Sequence, residues 1–144
     1  MRYIRLYILS LVLTSLLIGC QNNQVNLLGS QDITSVSISA STGFGTTNTE
    51  FFVTYSDEIS LTFFEQLLAQ ATKESGSVNM PNPEYDMEVL YMEDENVTYH
   101  LWVGDSGHNS TIMKAEDTHT IYTISEDFTL QLIEMIEAKD TMQE

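Results

Sequence analysis

Three histidines, His100, His108 and His119, are the side chains in this sequence best suited to metal chemistry. Imidazole nitrogens bind metal ions when several of them converge with a carboxylate at fixed geometry. His100 and His119 fall on separate predicted strands, and His108 falls in a loop. Pairing of adjacent strands would bring His100 and His119 together, which keeps a metal-responsive module open as an alternative. Three surface or edge histidines are the simpler interpretation, so we expect no metal site and no cofactor.

A second motif, Gly104-Asp105-Ser106-Gly107, resembles the segment around the nucleophile of chymotrypsin-like serine proteases. That serine acts only with a histidine base, an orienting acid and an oxyanion hole. No histidine precedes His100, which lies just before the motif, and the chain is too short for the two barrels of such a protease. Glycine, aspartate and serine are equally typical of turns. We therefore interpret the motif as a turn and expect a protein that is not an enzyme, with an unrecognised enzyme type as an alternative.

Aromatic residues are the remaining candidates for a binding surface. If Tyr99 points toward the helices, His100 and Trp102 point to the opposite sheet face, because side chains alternate along a strand. An indole exposed there would be a suitable anchor for a partner or ligand. The alternative is a covered second face or ordinary edge packing. We keep both and name Trp102 and His100 as possible partner-binding residues.

The N-terminus predicts export and lipid attachment. Arg2 and Arg5 precede an uncharged apolar run over residues 6–18, the layout of a secretory signal peptide. The run is shorter than the roughly 20 residues that span a bilayer. It ends in Leu17-Ile18-Gly19-Cys20, which looks like the lipobox of bacterial lipoproteins, in which the cysteine thiol is alkylated and cleavage occurs before it. We expect a signal peptide over residues 1–19 and anchoring through lipid on Cys20.

Composition limits the partners. The chain carries 21 acidic and five basic residues, and Cys20 is its sole cysteine, so a disulfide framework is excluded. Loss of the leader removes two arginines and no acid, which leaves three basic residues against 21 acids and a net charge of −18. Such a surface repels nucleic acid and favours cationic or basic protein partners.

The predicted elements follow hydrophobic periodicity. Residues 20–31 are uncharged after Cys20 and read as a flexible tether, residues 32–138 as one domain, and residues 139–144 as a disordered tail. Strands are predicted near residues 36–39, 50–55, 85–91, 97–103, 110–115 and 118–124. Helices are predicted from Asp57 toward a cap at Gly76, and after Ser125. The order β-β-α-β-β-β-β-α with hairpin connections predicts an α+β fold, an antiparallel sheet with two amphipathic helices packed on one face.

The same residues carry a family resemblance. Val36-Ser37-Ile38-Ser39, the helix over residues 57–76, residues 83–86, Tyr99-His100-Leu101-Trp102-Val103, residues 111–113 and residues 122–125 resemble the YhfM-like domain of small Bacillus lipoproteins. The resemblance covers roughly residues 32–136 and consists of packing patterns. It implies a Gram-positive protein held on the outer side of the cell membrane, with no established activity. The residues themselves favour a non-catalytic binding or interaction domain.

Overall fold

Two neighbouring strands, β4 (Tyr85–Tyr91) and β5 (Asn96–Trp102), form the centre of an antiparallel sheet. On one face they bury Met87, Val89, Tyr99 and Leu101 completely. These apolar side chains alternate with polar ones, which is the pattern of a strand with two different faces. The computed structural model describes residues 26–27, 32–75, 79–92 and 95–140.

Seven strands make up the described sheet. The other five are β1 (Ile33–Ala40), β2 (Val53–Tyr55), β3 (Thr72–Lys73), β6 (Ser110–Lys114) and β7 (Ile121–Ile124). Their spatial order is β2-β1-β4-β5-β6-β7-β3, and each neighbouring pair is antiparallel. The predicted α+β class and antiparallel sheet are confirmed. Strand β3 was not expected, because two residues are too few to show a period.

The first helix, α1 (Glu58–Gln70), begins at Asp57, whose carboxylate accepts the Ser60 N–H at 3.0 Å. Hydrogen bonds from the first turn hold the pKa of this carboxyl below its ordinary value, as expected for an acid at a helix N-terminus. The buried side of α1 carries Phe64, Leu67 and Leu68. The stripe predicted to start at Ile59 is wrong at that residue, which is 85% exposed.

Helix α1 ends earlier than predicted. Gln70 is its last residue and Ala71 is its C-cap, after which the chain continues into β3. Gly76, the predicted cap, lies outside the described residues. Pairing of β3 with β7 satisfies backbone groups just beyond the helix, so the chain leaves the helix without a left-handed glycine.

The second helix, α2 (Glu126–Asp140), packs on the same sheet face as α1. Leu132 and Ile136 of α2 join the core, and Phe63 of α1 contacts Phe128 of α2 with ring centroids 5.8 Å apart. The helix continues two residues beyond the predicted domain end at 138, into the segment expected to be a tail. Both helices therefore cover one face of the sheet, as predicted. The opposite face carries no helix among the described residues.

Residues 1–25, with the predicted signal peptide and Cys20, lie outside the described residues, as do residues 28–31. Within the predicted tether, the described pair Asn26 and Leu27 is held on the domain. The Leu27 N–H donates to the Leu68 carbonyl at 3.3 Å, and its side chain packs against the core. The tether prediction is thus wrong at this point. In the described part of the chain, no helix combines the length and apolarity needed to cross a bilayer.

Candidate functional site

The helix-free face of the sheet is covered by the segment between β1 and β2. We call residues 41–52 the cover loop. Its Phe44 side chain rests on two rings of β5, with centroid distances of 5.6 Å to His100 and 5.9 Å to Trp102. Gly43 and Gly45 on either side of Phe44 have φ angles of 107° and 88°, which non-glycine residues rarely adopt. The two glycines allow the loop to turn sharply over the sheet.

Trp102 belongs to this second packed layer. Its side chain is only 7% exposed, and its indole N–H donates to the carbonyls of Pro81 and Asn82 at 3.0 and 3.2 Å. The interpretation of Trp102 as an exposed anchor for a partner is therefore wrong, and its alternative, a covered face, is correct. Alternation along β5 correctly placed the side chain opposite the helices but could not show that the cover loop reaches it.

A buried pair of polar residues lies beneath the cover loop. Asp86 and His100 are cross-strand neighbours on β4 and β5, each 1% exposed, and Asp86 Oδ1 lies 2.8 Å from His100 Nδ1. Asp86 Oδ2 accepts the backbone N–H of Asn48 at 2.8 Å, and the Asn48 carbonyl accepts the Ser39 hydroxyl at 2.6 Å. An ionised carboxylate can only accept, so Nδ1 carries the shared proton. The pair is thereby tied to both the sheet and the cover loop.

A cleft adjoins His100, whose second ring nitrogen is Nε2. His100 forms part of the wall of an open cleft of about 280 Å³, together with Gly45, Thr46, Thr47, Asn96, Thr98, Ala115 and Glu116. No described residue hydrogen-bonds Nε2. Among the described residues, two polar side-chain atoms are sealed from solvent and have no hydrogen-bond partner. These are the hydroxyls of Tyr91 and Tyr99. Nε2 is not among them, so it is not sealed from solvent.

This arrangement fixes both the orientation and the tautomer of an imidazole. A histidine that donates from Nδ1 to a carboxylate presents Nε2 as an acceptor when the ring is neutral. Such a nitrogen can bind a ligand donor, take a proton from a reactant or ligate a metal ion. Thr46, Thr47, Thr98 and Asn96, which also line the cleft, carry further hydrogen-bonding groups. The cleft is thus lined mainly by polar residues.

The other two histidines do not join His100. His119 lies in the turn before β7, and its backbone N–H donates to the Asp117 carboxylate at 3.1 Å. Strand β6 lies between β5 and β7, so the alternative in which adjacent strands bring His100 and His119 together is wrong. His108 lies in the exposed turn after β5. Among the described residues, no three histidine, cysteine or acidic side chains are grouped so that they could hold a metal ion.

The motif Gly104-Asp105-Ser106-Gly107 forms a turn, as interpreted from the sequence. Gly107 has a φ angle of 83°, and the His108 N–H donates to the Asp105 carbonyl at 2.9 Å. Gly104 lies so close to the Asn109 carbonyl that a larger residue would not fit. The glycines are therefore explained by the path of the backbone alone.

Two buried phenols lie on the helix face, away from the cleft. The Tyr91 and Tyr99 hydroxyls have no hydrogen-bond partner among the described residues. Burial raises the pKa of Tyr99 above its ordinary range, and the neighbouring Tyr91 phenol adds to this effect. Because Tyr99 is fully buried in the main core, we assign these two residues to packing.

Sequence reasoning missed Asp86, Phe44 and the cover loop as parts of the site. Asp86 alternates with Tyr85 and Met87, and this pattern assigned its side chain to the polar face of β4. A one-residue change of hairpin register moves a side chain to a different cross-strand neighbour. Only the observed register, which pairs Asp86 with His100, identifies its partner.

The comparisons with known proteins bear on family and fold. No curated protein matches the chain at a significant level. A solved structure described as a thioesterase-like protein from Clostridium sporogenes ATCC 15579 superposes with a TM-score of 0.58, covering 73% of this chain and 94% of that one. The two are 16% identical, so the similarity concerns the fold alone. A family model described as YhfM protein matches residues 31–142, most of the sequence. The chain therefore belongs to the YhfM family.

Proposed function

We propose that this protein is an extracytoplasmic lipoprotein, anchored to the cell membrane through lipid on Cys20, whose domain binds a small polar ligand in the cleft beside His100. The observation that carries the binding role is the state of His100. Its ring is 99% inaccessible and fixed by Asp86, His100 lines the cleft, and Nε2 has no hydrogen-bond partner among the described residues. A buried polar atom usually has a hydrogen-bond partner, so a ligand donor is the natural partner for this one.

Anchoring is supported by the sequence of the leader. Two arginines, a short apolar run and Leu17-Ile18-Gly19-Cys20 agree with export, cleavage and alkylation of the thiol. A single acyl chain binds a membrane only marginally, whereas two chains hold a protein stably. A diacylglyceryl group on Cys20 would therefore keep the acidic domain at the outer surface of the membrane. This topology also places the cleft in contact with solutes outside the cell.

Replacement of Cys20 by serine is expected to abolish lipid attachment, because a hydroxyl does not replace the thiol as the alkylated group. The measurement is incorporation of a palmitate analogue by cells expressing the wild-type or the C20S chain, with membrane fractionation. Wild-type protein should carry label and sediment with membranes, and the variant should carry none. Equal labelling of both chains, or wild-type protein recovered from the cytosol with an intact leader, would refute the anchoring proposal.

The binding role predicts a ligand that changes the fluorescence of Trp102. This residue is the sole tryptophan, and its ring centroid lies 6.4 Å from that of His100. Small polar compounds are titrated into the full chain in detergent, and each response is compared between the wild type and Thr98→Val, which removes a hydroxyl from the cleft wall. Thr62→Val on α1 is the matched control, because the Thr62 hydroxyl bonds within its own helix.

We expect at least one compound whose response is lost in Thr98→Val and kept in Thr62→Val. A ligand bound through this hydroxyl should lose about fivefold or more in affinity. If every compound that changes the fluorescence of the wild type gives the same response with Thr98→Val, the cleft is not the binding site.

Catalysis is the second candidate, favoured by the Asp86–His100 hydrogen bond of 2.8 Å. In that role Nε2 would take a proton from water as the water oxygen attacks the carbonyl carbon of a thioester or ester. Collapse of the tetrahedral adduct would then break the bond to the leaving sulfur or oxygen, and the imidazolium would return the proton to that leaving group. The fold neighbour described as thioesterase-like suggests acyl thioesters as first substrates. Hydrolysis that is present in the wild type and lost in His100→Gln would favour this candidate. Its absence over a panel of acyl thioesters and oxygen esters favours the binding role.

A further inference from the structure

The chemistry of the cleft restricts the ligand, given the proposed binding role. We infer that the cleft beside His100 selects a small organic cation that carries an ammonium group. The inference rests on the charges and hydrogen-bonding groups that face the cleft.

The charged groups around the cleft are acidic. Glu116 is the charged side chain among the described lining residues. A second carboxylate, that of Glu88, accepts a hydrogen bond from the side-chain amide of Asn96 at 3.2 Å. Asp86 lies behind His100 and is buried. Lys114 on β6 is paired with Tyr99 and so lies on the helix face of the sheet. An anion placed in the cleft would meet carboxylates without a compensating lysine or arginine from the lining.

The uncharged groups that line the cleft also favour a ligand that donates hydrogen bonds. With Nδ1–H committed to Asp86, neutral His100 offers an acceptor at Nε2, and threonine hydroxyls can accept as well as donate. An ammonium group has three donors and no acceptor, so it complements this set. Its charge would be balanced by Glu116, with Nε2 as a second acceptor. The cleft of about 280 Å³ leaves room for a short carbon chain and excludes a macromolecule from its interior.

The test uses three four-carbon molecules that differ only in their end groups: 1,4-diaminobutane, 1,4-butanediol and succinate. Each is titrated into the full chain in detergent at neutral pH, and binding is followed by calorimetry and by the fluorescence of Trp102. We expect the diamine to bind at least about tenfold more tightly than the diol, since hydrogen bonds to charged groups are the stronger ones. We expect no binding of succinate.

Charge-matched variants separate the cleft from the acidic surface as a whole. Glu116→Gln removes a negative charge at the cleft, and Glu134→Gln removes one from an exposed position on α2. Both positions are exposed, so both variants should fold. Affinity for the diamine should fall about two- to fivefold in Glu116→Gln, the range for an exposed ion pair, and stay near wild type in Glu134→Gln. His100→Gln, if its thermal melt remains cooperative, should weaken the diamine further.

Three outcomes would overturn the inference. Equal losses in Glu116→Gln and Glu134→Gln would mean diffuse attraction to an acidic surface. Preference for succinate would mean that Nε2 carries a proton and serves as a donor. Binding of the diol as tight as that of the diamine would mean that charge does not matter. In the last two cases, binding that is weakened by Thr98→Val would still place the ligand in the cleft. The proposed binding role would then stand, and only the inference of an ammonium ligand would be refuted.

Discussion

Replacement of Asp86 by alanine is expected to lower the free energy of unfolding by about 2–6 kcal/mol, because it leaves two hydrogen-bond donors unsatisfied at about 1–3 kcal/mol each. The carboxylate accepts from His100 and from the backbone N–H of Asn48, both at 2.8 Å. Its loss leaves two buried donors without their acceptor and detaches the cover loop from the sheet. Urea denaturation followed by circular dichroism gives the measurement.

A matched control is available two residues along the same strand. Glu88 is partly exposed and accepts the Asn96 side-chain amide at the surface. Glu88→Ala should change the free energy of unfolding by less than about 1 kcal/mol, as is usual for exposed polar contacts. A double-mutant cycle of Asp86→Ala with His100→Ala should give a coupling of roughly 0.5–3 kcal/mol. Equal effects of Asp86→Ala and Glu88→Ala would mean that the buried pair does not hold the cover loop.

Replacement of Trp102 by alanine is expected to lower the free energy of unfolding by about 3–5 kcal/mol, the range for large aromatic residues cut to alanine in cores. The indole is 93% inaccessible and packs against Phe44 and His100. Its removal leaves a cavity under the cover loop and two carbonyls, of Pro81 and Asn82, without their donor. Thermal and urea unfolding followed by circular dichroism should show the loss.

Two further variants divide this effect into its parts. Trp102→Phe keeps a ring and removes the N–H, so it should cost less than the alanine variant by at least about 1 kcal/mol. Phe44→Ala removes a ring that is 42% exposed and should therefore also cost less than Trp102→Ala. A Trp102→Ala variant with wild-type stability would contradict the covered face and would mean that the indole is exposed at the surface.

Both predictions concern a part of the molecule that the sequence described only in part. Alternation along β5 correctly assigned His100 and Trp102 to the face opposite Tyr99. It could not reveal the cover, because residues 41–52 are rich in glycine and threonine and show no period. The bond from the Asn48 N–H to Asp86 joins residues 38 positions apart. Contacts of that range depend on the path of a loop, which local patterns do not specify.

The errors within the helices have a similar cause. Ile59 continues the apolar spacing of Phe63 and Leu67 but lies in the first turn of α1, where its side chain is exposed to solvent. The end of α1 at Gln70 is set by pairing of β3 with β7, a contact with the far end of the chain. A two-residue strand has no pattern of its own. Element type therefore followed from periodicity, whereas element ends followed from tertiary contacts.

By itself the sequence determined the α+β class, the antiparallel sheet and the placement of both helices on one face. These features follow from the spacing of apolar residues, which each segment carries locally. The tertiary structure alone decided that the second face is covered, that Asp86 meets His100 and that His100 lines a cleft. Those features depend on hairpin register and on a loop folding back over the sheet, and both are settled only when distant segments pack together.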